Sequence, residues 1–321
     1  MTPTSPRSAL VTGGAGFIGG HLVERLLAEN WSVRVLDDFS SGREANLAGC
    51  LDRATLLRGD VRDQDVVSRA VEGVDVAFHL AAIPGVQQSV AEPLRTHRVN
   101  VEGTLTVLEA ARLGGVRRVV YAASAAVYDD SPALPKTESM EPGPVSPYGV
   151  QKLTGERYCG LYHDLHGLET VSLRYFNIFG PRQDPRSEYA AVIPRFVSAA
   201  IAGEPAVIYG DGEQTRDFTF VSDAVAANLL AADAEGAAGQ VMNIAGGHQT
   251  SLNRLWEMIC DLVGIALDAR HDPPRTGDVR DSLACVARAA DVMGYESSVE
   301  LREGLRQTIG SFRKCAESGK G

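Results

Sequence analysis

Eight residues, Thr12-Gly13-Gly14-Ala15-Gly16-Phe17-Ile18-Gly19, leave this chain few ways to fold. They join a short apolar run, Ser8 to Thr12, to a segment with apolar residues at helical spacing: Leu22, Val23, Leu26 and Leu27. The run reads as a buried parallel strand and the segment from His21 to Glu29 as a helix. Glycines in this setting allow a tight turn, a close approach to a pyrophosphate, and packing of helix on strand. Free N–H groups and the dipole at the helix start then hold an anion. Gly13, Gly16, Phe17, Ile18 and Gly19 are therefore expected to bind a dinucleotide. A second strand, Ser32 to Leu36, ends at Asp37. An acid at that tip takes both hydroxyls of an adenosine ribose and repels a 2'-phosphate, which favours NAD over NADP. Asp38 is placed to share this role.

The pattern repeats. Leu56 to Val61 reads as a third strand tip, with Asp60 and Val61 bordering the adenine. Val74 to Leu80 reads as a fourth strand running into Ala81-Ala82, Asn100 to Arg112 as a helix, and Val116 to Ala122 as a fifth strand. Alternating strands and helices predict an α/β chain with a doubly wound parallel sheet. Ligands of such sheets bind beyond the carboxyl ends of the strands. The formal charge of -10, with no basic cluster, argues against nucleic acid and anionic membranes as partners. Five scattered cysteines without a CxxC spacing indicate neither a disulfide framework nor a metal site. No leader or long apolar run is evident, so a cytoplasmic protein is expected, with residues 1–7 as a flexible tail.

Tyr148 and Lys152 stand four apart on a predicted helix that starts after Ser146-Pro147, so both lie on one face. A free tyrosine has a pKa of about 10. A positive charge about 4 Å away is worth roughly 4 kcal/mol at an effective dielectric of 20, enough to bring a phenol toward neutrality. Lys152 is therefore expected to depress the pKa of Tyr148 and make it a proton shuttle. Ser124 follows the fifth strand, where its hydroxyl can bond the oxygen that gains or loses a proton.

These pieces resemble an extended short-chain dehydrogenase/reductase, and within it the UDP-hexose and UDP-N-acetylhexosamine 4-epimerases. The matching stretches are TGGAGFIG at 12–19, LDD at 36–38, GDV at 59–61, HLAA at 79–82, Asn100, Ser124 and the YxxxK pair. They continue with LRYFNIFGPRQ at 173–183, AVIPRF at 191–196, GDGEQTRDF at 210–218 and RTGDVR at 275–280. The resemblance implies a Rossmann domain over residues 8–174, with return segments at about 217–245. It implies a smaller α+β nucleotide-sugar domain from 175–216 and 246–315, and a homodimer. It places NAD against Leu80, Ala81, Ala82, Asn100, Tyr148, Lys152 and Phe176 as well as the glycine turn. A UDP-sugar is implied at Ser124, Tyr148, Asn177, Val192, Tyr209, Arg216, Arg275, Asp278 and Ser282. In the resembling enzymes a tyrosine at position 282 narrows the pocket to plain hexoses, and a small residue admits an N-acetyl group. Ser282 thus implies UDP-N-acetylglucosamine and UDP-N-acetylgalactosamine as substrates, alongside UDP-glucose and UDP-galactose.

The chain departs from the family at Ala125-Ala126, where a Ser or Thr is usual, at Asp129, where glycine is usual, and at Pro84, where some members carry lysine. Related dehydratases need an Asp-Glu pair, and related decarboxylases a glutamate, after the active-site hydroxyl. Alanines serve neither. The other readings are an epimerase of another nucleotide-sugar, such as UDP-glucuronate, a nucleotide-sugar dehydratase or decarboxylase despite these alanines, and a non-catalytic NAD sensor of the same fold.

Overall fold

Seven parallel strands make one sheet in the computed structural model, which describes residues 6–184, 191–274 and 280–317. The first half runs β1 (Ser8–Thr12), α1 (Phe17–Ala28), β2 (Ser32–Asp37), β3 (Ala54–Arg58), α2 (Gln64–Val71) and β4 (Val76–His79). Then come α3 (Val86–Ala91), α4 (Pro93–His97), a π-helical turn (Arg98–Glu102), α5 (Gly103–Leu113), β5 (Arg118–Ser124), α6 (Pro147–His166) and β6 (Glu169–Tyr175). The second half continues with β7 (Ile178–Phe179), α7 (Val192–Ala202), β8 (Val207–Tyr209), β9 (Thr215–Asp217), β10 (Thr219–Phe220) and α8 (Val221–Asp233). It ends with β11 (Val241–Ile244), β12 (Gln249–Ser251), α9 (Leu252–Val263), β13 (Arg270–Asp272), α10 (Ala287–Met293) and α11 (Leu301–Glu317).

The main sheet has the order β11-β6-β5-β4-β1-β2-β3. Its central strands are apolar on both faces because helices cover both: Leu10, Val11, Val119 and Val120 are fully buried. The order reverses between β1 and β4, the switch point where such sheets open a crevice. Gly13 sits there with φ 69°, and a Cβ on it would lie 2.8 Å from the backbone N of Ala81. Only glycine satisfies both demands.

A second apolar core gathers Phe196, Ile208, Phe220, Trp256 and Leu305 from α7, β8, β10, α9 and α11. The expected division at residue 246 needs one correction. Ala289, Met293 and Tyr295, in and just after α10, pack into the core beneath the main sheet, beside Met242 and Ile244. The periodicity of so short a helix does not say which core it joins.

Candidate active site

The helix α1 begins with an open end. Its cap, Gly16, has no side chain to bond the first N–H groups, and its first turn carries no acid. Those donors and the positive dipole end are left for an anion. They face a cleft of about 780 Å³. Gly13, Gly16, Phe17, Ile18 and Gly19 line it, as do Asp37, Asp38, Asp60, Val61, Leu80, Ala81, Ala82, Tyr148 and Lys152. Asp37 accepts N–H bonds from Ala15 and Phe39, both at 2.9 Å, so its carboxylate is held rigidly although burial pushes its pKa up.

At the other end stand Ser124, Tyr148 and Lys152. Ser146 caps α6 by accepting the Gly149 N–H at 3.1 Å, and Ser89 of α3 accepts the Tyr148 N–H at 2.9 Å. Gly149 lets the helix press onto the turn after β5, where an added Cβ would lie 2.2 Å from the Ala126 carbonyl oxygen. Ser124 is the last residue of β5, which runs past the expected end at Ala122; its Oγ accepts the Ala126 N–H at 3.1 Å and stands close enough to the Tyr148 phenol to pull its pKa down.

The expectation for Lys152 needs correcting. Its ammonium donates to the Ala122 carbonyl at 2.7 Å and lies 5.9 Å from the centre of the Tyr148 ring. Burial pushes the phenol above its ordinary pKa, with the Ser124 hydroxyl pulling it back. Burial also brings Lys152 down to about 8. Spacing on a helix sets which face a side chain takes, but desolvation of both groups outweighs their attraction here.

Asn100 and Phe176 stand just behind the cleft lining, next to Ile83 and Tyr175. Phe176 is 1% exposed and packs on Tyr128, with ring centres 6.0 Å apart. Asn100 sits in the π-helical turn and clips the cleft wall from behind. Its Oδ1 accepts the Ile83 N–H at 2.8 Å, and its Nδ2 donates to the Ile83 carbonyl at 3.1 Å and to Gln151 Oε1 at 2.8 Å. Gln151 in turn donates to Thr96 Oγ1 at 2.9 Å. The residue between Tyr148 and Lys152 thus ties the catalytic helix to the cleft wall. The motif spacing does not reveal this, because Gln151 points away from the face that carries the motif.

A second buried relay was not expected. Thr104 Oγ1 donates to the Asn100 carbonyl at 2.7 Å, so it must accept from His79 Nε2 at 2.9 Å. His79 Nδ1 is then the acceptor for the Thr12 hydroxyl at 2.7 Å, and Thr12 Oγ1 accepts the Ala81 N–H at 3.2 Å. One tautomer satisfies the whole chain with a neutral ring, and burial together with Lys152 lowers His79 to about 3.

The expected sugar contacts fall in two groups. Ile178 and Ala191 line the cleft next to Asn177 and Val192. Asn177 (φ 37°) donates to the Asp217 carbonyl at 2.9 Å. Arg216 donates to the Arg280 carbonyl at 3.0 Å, and the Ser282 N–H to Thr215 at 3.2 Å. So Asn177, Arg216 and Ser282 gather around β9, where the buried Asp217 carboxylate accepts the N–H groups of Gly247 and Ala284, each at 3.0 Å. Tyr209 ends β8 with the Arg195 guanidinium 5.9 Å from its ring centre, and its carbonyl accepts from Gln214 Nε2, just before β9, at 2.6 Å. Arg275 and Asp278 lie outside the described residues. Among the described residues no helix is long and apolar enough to cross a membrane, and no group of three or more His, Cys, Asp or Glu is clustered to hold a metal.

The residues fit a dinucleotide: the open end of α1 would hold its pyrophosphate, and Tyr148 and Lys152 would border its far ring. The fold and cleft are those of a Rossmann enzyme of the extended short-chain dehydrogenase/reductase class. Residues 9–245 match the NAD dependent epimerase/dehydratase family, and the chain belongs to that family. Its cofactor is NAD. A UDP-glucose 4-epimerase of Mycolicibacterium smegmatis is 42% identical over 312 residues, covering 96% of this chain and 99% of the relative. The structure of a Thermotoga maritima UDP-glucose 4-epimerase with UDP-glucose superposes with a TM-score of 0.92 at 36% identity, covering 96% and 99% of the two chains. A UDP-N-acetylglucosamine 4-epimerase of Methanobrevibacter ruminantium, in complex with UDP-N-acetylmuramic acid, gives 0.93 at 39% identity, covering 97% and 99%.

Proposed function

We propose that the protein is a UDP-sugar 4-epimerase that interconverts UDP-N-acetylglucosamine and UDP-N-acetylgalactosamine, and also UDP-glucose and UDP-galactose. The class of activity follows from the family and the relatives. The N-acetylated pair is supported by the small side chain of Ser282, at the position where a tyrosine narrows the pocket in the resembling enzymes. Its backbone is pinned to Thr215, and Ala284 is pinned to Asp217 at 3.0 Å, so the segment has little freedom to fill the space.

The chemistry that NAD supplies when bound is a reversible two-electron exchange with carbon 4 of the sugar. With NAD bound, the positive charge of its nicotinamide would add to that of Lys152 and offset the burial that raises the Tyr148 pKa, so that Tyr148 would take the proton from the 4-hydroxyl while Ser124 holds the same oxygen as charge develops. Lys152 sits against the end of β5 and keeps a positive charge near the phenolate. The 4-keto sugar turns about its diphosphate link and presents its other face, and Tyr148 returns the proton. Ala125 and Ala126 provide no acid or base for elimination, in keeping with epimerisation over dehydration.

A panel of UDP-sugars, UDP-glucuronate included, incubated with the protein and followed by NMR at the sugar 4-position tests the substrate. Absence of turnover on the N-acetylated pair removes this reading. Ser282→Tyr is expected to cut kcat/KM for that pair by roughly 10- to 100-fold and to spare the plain hexoses. Equal effects on both pairs count against Ser282 as the selector.

The homodimer is likewise part of the proposal. Val150, Leu161 and Leu165 lie on one face of α6 and are 50%, 49% and 71% exposed, while Leu153 and Tyr158, flanking that face, pack partly into the protein. Leu161→Glu combined with Leu165→Glu should shift sedimentation from dimer to monomer. A wild-type that sediments as a monomer would dismiss the interface.

A further inference from the structure

After β7 the chain passes Gly180 and crosses back over α1. Arg182 holds a left-handed backbone, φ 69°, which a non-glycine residue adopts only when its surroundings enforce it. Its guanidinium supplies that enforcement. It donates to both carboxylate oxygens of Glu24, at 2.8 and 2.7 Å, to the Asn46 carbonyl at 2.9 Å and to His21 Nδ1 at 2.6 Å. His21 Nε2 donates to the Pro181 carbonyl at 3.0 Å, so one tautomer serves both contacts. Two residues on, Asp184 forms an ion pair with Arg43. Arg43, Asn46, Arg182, Gln183 and Asp184 all line the cleft, at the end where Asp37 and Asp38 stand.

We propose that residues 181–184 form a strap across the adenosine end of the cleft, fastened by Arg182 to Glu24 and by Asp184 to Arg43, that keeps NAD resident between turnovers. Epimerisation consumes no net oxidant, so a cofactor lost halfway leaves a keto sugar and a dead enzyme. A clasp that opens slowly serves this reaction, whereas one that exchanges its cofactor every cycle has no use for it. Glu24 and His21 lie on α1 outside the cofactor cradle, so they act through Arg182 as positioning residues. The inference rests on NAD occupying the cleft and is independent of which sugar is turned over.

The test uses the full chain loaded with NAD. Free NAD is removed, and release is followed by enzymatic assay of NAD in the filtrate, at low and at high salt. Glu24→Ala is expected to release NAD roughly tenfold faster than wild type at low salt. Salt screens ion pairs, so wild-type release should quicken with salt more than release from Glu24→Ala does. Arg182→Gly, which suits the left-handed backbone, should behave like Glu24→Ala; if it fails to fold, Glu24→Ala alone decides. Unchanged release in Glu24→Ala overturns the proposal. So does faster release with the wild-type salt response intact, which would mark a general loosening of the fold.

Discussion

Tyr148→Phe is expected to lower kcat by roughly a thousandfold while the purified protein keeps its NAD. The substitution removes one oxygen and leaves the ring, its packing and the helix cap at Ser146 in place. The Tyr148 N–H bond to Ser89 is made by backbone and survives as well. What disappears is the group that moves the proton to and from the sugar 4-oxygen. Ser124 cannot replace it, since its Oγ already accepts the Ala126 N–H and has no neighbouring base. Progress curves by NMR, with NAD measured after acid release, check both halves of the expectation. Turnover within tenfold of wild type would refute the assignment of Tyr148 as the base.

The second large effect is on stability in acid, and it comes from His79. In the folded chain its pKa is lowered to about 3 by burial and by Lys152. An unfolded histidine titrates near 6.5. Between these values the unfolded chain binds more protons than the folded one, so stability rises with pH across that window and is lost as pH falls below about 6.5. The full difference amounts to about 5 kcal/mol on this scale. Urea midpoints measured between pH 7 and pH 4 should therefore fall steeply. In His79→Gln the amide keeps one acceptor and one donor for Thr12 and Thr104 but cannot take up a proton. Its pH dependence should be flatter by up to one proton, even if the variant is less stable at pH 7. Parallel curves for the two proteins would show that His79 is not the group that titrates.

How far the site could be read in advance varied with the distance between partners. The glycine turn, the acid at the tip of β2 and the Tyr148–Lys152 face are local, each written within a few residues by backbone geometry or helical repeat. In the structure they line one cleft. The state of Tyr148 is not written this way, because it depends on how much water the surrounding walls exclude, which no spacing encodes. Asn100 braces Ile83 of the cleft wall from the π-helical turn, a contact that no local spacing reveals. Phe176 packs beside Tyr128, a partner that the sequence alone does not name. The roles of Arg182, His79 and Gln151 are not written in the sequence, because a buried polar residue is defined by partners far along the chain: Glu24, Thr12 and Thr96.

By its own order the chain determined the alternation of strands and helices, the parallel sheet and the presence of a dinucleotide cradle, because each follows from periodicities a few residues long. The tertiary structure alone decided which polar groups meet: Thr12 with His79, Asn100 with Gln151, and Arg182 with Glu24 across 158 positions. Those meetings, and the burial that sets the pKa of Tyr148 and Lys152, depend on strand order and on the exclusion of water, which exist only once the sheet has closed.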